Sequence, residues 1–101
     1  MSKFRAIIPA VPTILVDDRH SRVTRWDFEP GAETGFHRHG MAYVVVPMTD
    51  MNVRIEDSGG TREVFAAAGA AYSREAGVEH NVANAGSAAM AFIEIEMKNT
   101  D

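Results

Sequence analysis

The chain contains no cysteine. Disulfides and thiolate metal sites are therefore excluded, and any metal has to be held by nitrogen and oxygen ligands. Runs of one charge are also missing. Ten Lys and Arg stand against 14 Asp and Glu, a net charge of -4, and Arg19, Arg22 and Arg25 are interleaved with Asp17, Asp18 and Asp27. That pattern argues against a nucleic-acid surface. No apolar run approaches the roughly 20 residues that span a bilayer. The opening "MSKFRAIIPAVPTILVDD" is interrupted by Pro9 and Pro12, and no small-residue cleavage site follows its basic start, so no signal peptide is expected. The expectation is a cytoplasmic protein with neither nucleic acid nor membrane as partner. Helix signals are absent as well. The alanine-rich "VFAAAGAAYS" is the nearest approach, and Gly69 divides it.

What is present alternates with a period of two. Short β-branched or aromatic stretches start at Thr13, Val23, Ala42, Asn52, Arg62, His80 and Ala91. Turn chemistry separates them, including a hairpin centred on Ser58–Gly60. Many short strands in a chain of 101 residues predict one all-β domain, a small antiparallel β-barrel or jelly roll. Such a chain buries only about 60–70% of the surface its unfolded form exposes, which favours oligomerisation. Residues 1–16 have two readings. Their apolar part, Ile7 to Val16, is either a strand covering the barrel's own sheet or an arm given to a partner, and a homodimer is expected.

Two of the four histidines, His37 and His39, lie one residue apart after a glycine-rich turn. In a strand, residues i and i+2 face one side, so both imidazoles enter the same space. A third, His80, sits on another expected strand, with Gly69 and Gly77 before it and Asn84 after it. These spacings resemble the two fingerprints of the cupins, at residues 31–51 and 69–84. The first runs Gly31, five residues, His37, Arg38, His39, then Tyr43 where the family has a glutamate; its closing glycine is absent near Asp50 and Met51. The second runs Gly69, five residues, Glu75, Ala76, Gly77, two residues, His80, three residues, Asn84, with Glu75 replacing a proline. The form also looks like small bacterial cupins assigned to β-alanine degradation.

The resemblance implies a barrel of six to eight strands with one open mouth and an inward-facing divalent metal. Carried over residue by residue, His37, His39 and His80 are the ligands, and the metal is Fe, Zn, Ni or Mn. Tyr43 replaces the fourth ligand. A neutral tyrosine binds metal poorly, so it is expected to orient substrate or water, or else to fill the wall. Among the acids, Glu79 should face away from His80, Glu75 lies at the rim and Glu33 in the approach loop. Along the last strand the apolar set Ile93, Ile95 and Met97 is expected inward, with Glu94 the acid to inspect. Phe36, Tyr72, Phe65 and Phe92 are core candidates, and Met41, Met48, Met51 and Met90 are expected to pack the interior or an interface. Arg54 or Arg74 can anchor a carboxylate if either faces the mouth. The resulting expectations are a metal-dependent enzyme, such as an oxygenase, acting on a small polar metabolite, and a non-catalytic module that binds or senses a small molecule. An exposed apolar patch near Ile7 to Val16 would favour a protein partner.

Overall fold

The structure is a computed structural model that describes residues 7–98. Nine strands make up its regular structure: β1 (Val11–Asp17), β2 (Ser21–Phe28), β3 (His37–Arg38), β4 (Tyr43–Pro47), β5 (Met51–Asp57), β6 (Gly60–Ala66), β7 (Tyr72–Arg74), β8 (Glu79–Asn84) and β9 (Met90–Met97). All seven expected stretches are strands. The two additions, β3 and β7, are too short to leave a compositional signal. A five-stranded sheet runs β1-β2-β9-β4-β7 and a four-stranded sheet runs β3-β8-β5-β6, with antiparallel pairing throughout. No helix among the described residues is long and apolar enough to cross a membrane.

Alternation sets which side chains fill the space between the sheets. On β4 the buried residues are Tyr43, Val45 and Pro47, and on β5 they are Met51 and Val53. They meet Phe28 of β2 and Phe92 of β9, whose ring centroids lie 5.4 Å apart. Burying each such side chain contributes about 1.5–3 kcal/mol, so these positions hold the two sheets together.

Several expectations need correction. The inward set on β9 is Met90, Phe92 and Glu94, while Ile93 and Ile95 are half-buried and Met97 is exposed. The register explains this: Phe92 pairs with Trp26 and Pro47, Glu94 pairs with Thr24 and Val45, and all share the interior face. Phe36 and Phe65 are exposed, as is Met48, because the first and last lie in connections and Phe65 takes the outward parity of β6. Every residue of β1 is exposed, so this strand extends the sheet at its edge without covering a core. The part of the expected N-terminal arm before Ile7 lies outside the described residues.

The approach to β3 is tied down by backbone bonds. Residues 31–34 run beside β8, with Gly31 N–H donating to Asn84 O at 3.0 Å, Asn84 N–H to Ala32 O at 2.9 Å and Thr34 N–H to Val82 O at 2.9 Å. Asn84 also holds the following loop, as its fingerprint position suggests: its Nδ2 donates to Phe28 O and Ala88 O, and its Oδ1 accepts from Gly86 N–H. Gly77, at φ 99°, turns the chain into β8, a conformation that costs a residue bearing Cβ. Gly77→Ala should therefore destabilise the protein by about 1–2 kcal/mol in denaturant titration. Gly40→Ala, where no atom lies within 4 Å of the new Cβ, should change stability by less than ~0.5 kcal/mol.

Candidate metal centre

His37 and His80 pair directly across β3 and β8, so one ladder rung carries two of the three imidazoles. His39 follows β3 and is held by the second fingerprint on both sides. Its N–H donates to Val78 O and its carbonyl accepts from Gly77 N–H, each at 2.8 Å. The two fingerprints are therefore bonded to each other at the site. The result brings three ring nitrogens together: His37 Nε2 lies 2.9 Å from His39 Nε2, which lies 3.2 Å from His80 Nε2. His39 is buried, while the other two are half-buried.

The second nitrogen of His37 decides its tautomer. Nδ1 lies 2.8 Å from the carbonyl of Gly35, which can only accept, so Nδ1 carries the proton and Nε2 presents a lone pair. Burial, reinforced by His37 and then by His80, pushes His39 down to about 4. His80 is also pushed down to about 4, by burial and then by His37 and Arg62. Both are thus neutral near pH 7. One proton on His39 Nε2 can satisfy only one of its two neighbours, whereas a cation can satisfy all three. Metal–nitrogen bonds of about 2.1 Å at angles between octahedral and tetrahedral place ligand nitrogens about 3.0–3.4 Å apart, which the observed separations approach. The donor set fits a metal ion, and this cluster can hold one.

Tyr43 reaches the site as a ring. It stacks on His39 with centroids 3.9 Å apart and planes at 21°. Burial, with a contribution from Glu94, pushes its phenol up to about 12, so it keeps its proton. Glu94, the acid singled out for inspection, is buried on the interior face. Burial and then Glu96 raise it to about 7, partly offset by the Trp26 indole N–H and by Arg22. Glu96 is ion-paired with Arg22 at 3.3 Å. With His39 these two carboxylates form a second group whose ligand atoms all lie within 4.8 Å of one another. Glu79 and Glu75 are exposed, and Glu33 is buried and accepts from Asn81 Nδ2 at 3.1 Å. Trp26, a functional neighbour that the sequence reading did not single out, joins His37, Tyr72, His80 and Glu94 around a cavity of about 30 Å³. Its strand parity was the available signal.

No protein-family model matches the chain. It is 54% identical over 89 residues, 88% of its length and 94% of the relative's, to the beta-alanine degradation protein BauB of Pseudomonas aeruginosa. A solved cupin domain from Bordetella pertussis Tohama I matches with a TM-score of 0.92 and 43% identity, covering 95% of this chain and 100% of that one. The chain belongs to the cupins. An RmlC-like cupin of Methanocaldococcus jannaschii, with a double-stranded β-helix fold, has a TM-score of 0.74 at 15% identity over 98% and 89% of the two chains. That likeness concerns the fold alone. Within the cupin frame, the position of the family's motif glutamate holds Tyr43, and the carboxylates beside His39 come from β9 instead.

The pH response of the metal-free cupin follows from these shifts. Between pH 6.5 and about 4 the unfolded chain protonates His39 and His80 while the folded chain does not, so stability falls on acidification. Glu94 acts oppositely. Its carboxyl is protonated in the folded state up to about 7 but only below 4.5 when unfolded, so its contribution is lost as pH rises through that window. Two histidines outweigh one carboxyl, and stability should fall from pH 6.5 to 4.5. Glu94→Gln should make that fall steeper in unfolding titrations; a shallower dependence would contradict the assignment.

Proposed function

We propose that this cupin binds a divalent metal, Fe, Zn, Ni or Mn, through His37, His39 and His80 and uses it on a small polar metabolite. The observation that carries the reading is the convergence of three Nε2 atoms at 2.9 and 3.2 Å with the far nitrogen of His37 locked by Gly35 O. Held by three imidazoles, such an ion supplies Lewis acidity and open positions for exogenous ligands. The residues supply the rest. Gly35 O keeps His37 in the ligating tautomer, Tyr43 fixes the plane of His39 by stacking, and the neutral phenol orients substrate or water. The name of the Pseudomonas relative supports a role in β-alanine degradation. An oxygenase or a related metal-dependent reaction suits this donor set. The alternative, a module that binds or senses the metabolite without turnover, uses the same cavity and differs only in lacking a reaction.

The exposed apolar strand β1 supports a second copy of the chain as partner. Ile14, Leu15 and Val16 all lie in water on a strand whose outer edge is unpaired among the described residues. Light scattering of the full chain should give twice 11.0 kDa, and a monomer at micromolar concentration would contradict it.

Elemental analysis of protein purified without an affinity tag or chelator tests the metal. Near-stoichiometric divalent metal is expected in the wild type and should be lost in His80→Ala and His39→Ala. Tyr43→Phe should keep it, because the stacked ring remains. A wild-type chain that neither carries nor takes up divalent ions would leave the histidines as polar groups of a binding cavity.

A further inference from the structure

A second cavity, of about 240 Å³, opens along the seam between the two sheets, where β6 and β7 are the facing edges. It adjoins the histidine cavity, since Val53, Ile55 and Tyr72 line both. Its wall is mostly apolar, with Val64, Ala66 and Ala70 among its residues, but two arginines break the pattern. Both are exposed, and register puts them on the strand face that looks toward the cavity, at its mouth. Arg62 stands opposite Ile55, which lines the cavity, and Arg74 stands opposite Tyr43, whose ring is buried against His39. One guanidinium thus comes from each sheet.

The two arginines are not equivalent. Arg62 is committed to Asp57, with Nη1 to Oδ2 at 2.8 Å. Arg74 has no carboxylate partner among the described residues; its Nη1 donates to Ser73 O, and its guanidinium lies 4.7 Å above the Tyr72 ring. This cation–π contact holds the guanidinium against the ring while leaving N–H groups for a ligand. The charge of Arg74 also acts on Tyr43, Tyr72 and His80, which places it within electrostatic reach of the metal cluster. Arg54, the other candidate from sequence, is directed away: it pairs with Glu33 at 3.8 Å on the opposite face of β5.

We propose that this seam is the substrate subsite for a short-chain carboxylic acid, with Arg74 gripping the carboxylate and the other end directed to the histidine cluster. The proposal deepens the metal-dependent reading and rests on it for what happens at the far end. The cavity has room for a short-chain acid. The apolar wall holds the carbon chain, and the charged fork selects the acid over its neutral analogues.

The test is calorimetric titration of the metal-loaded full chain with 3-hydroxypropionate and with 3-hydroxypropionamide, which matches it in size and lacks the charge. The acid should bind the wild type at least tenfold more tightly than the amide. Arg74→Gln should weaken the acid by about ten- to hundredfold and leave the amide unchanged. Arg74→Lys should recover part of the loss, since it keeps the charge without the fork. Equal binding of acid and amide, an unaffected Arg74→Gln variant, or no saturable binding of the acid up to roughly 10 mM would each overturn the proposal. Elemental analysis and unfolding midpoints of both variants separate a lost contact from a lost fold. If the wild type takes up no metal, the metal reading fails, while the acid-against-amide comparison on the metal-free chain still judges Arg74.

Discussion

The site depends on one short backbone contact. Gly77 donates to His39 O and His39 donates to Val78 O, closing the end of the His37–Arg38 strand onto the turn that leads into His80. Without that pair of bonds, His39 follows a two-residue strand with little else to fix its backbone. With it, the first fingerprint is bonded to the second, and the rung between His37 and His80 brings the third imidazole alongside. Gly77 is required there because its φ of 99° suits no residue with a Cβ. The geometry of the metal cluster is thus fixed by backbone hydrogen bonds, which side-chain freedom cannot loosen.

The interior is polarised along its length. Near Phe28, Met51 and Phe92 it is an ordinary packed core. Toward the other end, the same inward positions carry Glu94, Tyr43, Tyr72 and the histidines, and packing gives way to cavities. Burial holds these groups neutral: the imidazoles of His39 and His80 unprotonated, the phenols of Tyr43 and Tyr72 protonated. Neutral imidazoles are what a cation requires of its ligands, and the environment that disfavours their protonation prepares them for it.

Much of this was legible from the residues. Strand alternation together with the spacing of Gly31, His37, His39, Gly69, Gly77, His80 and Asn84 indicated both the all-β architecture and the convergence of three histidines. The short extent of β3 and the strand β7 were not legible, because two- and three-residue strands are held by pairing across the sheet and not by their own composition. Glu94 was misplaced for a definite reason. β9 offers two parities, and a lone strand suggests burying Ile93 and Ile95; only its register against Trp26, Val45 and Phe28 shows that the carboxylate shares the interior face. Phe36 and Phe65 were misread because aromatic character predicts burial on average, while a connection and an outward strand position leave both in water. Arg74 needed the same kind of information, since its direction follows from the pairing with Tyr43.

The central claim is that three imidazoles, His37, His39 and His80, bind one cation together. X-ray absorption spectroscopy at the metal edge of the loaded protein tests it most directly. The account predicts imidazole scattering from three histidines at a metal–nitrogen distance of about 2.1 Å, and no bound metal to give a signal in His80→Ala. A first shell of oxygen atoms with one imidazole or none would contradict it, and would place the metal somewhere other than between His37, His39 and His80.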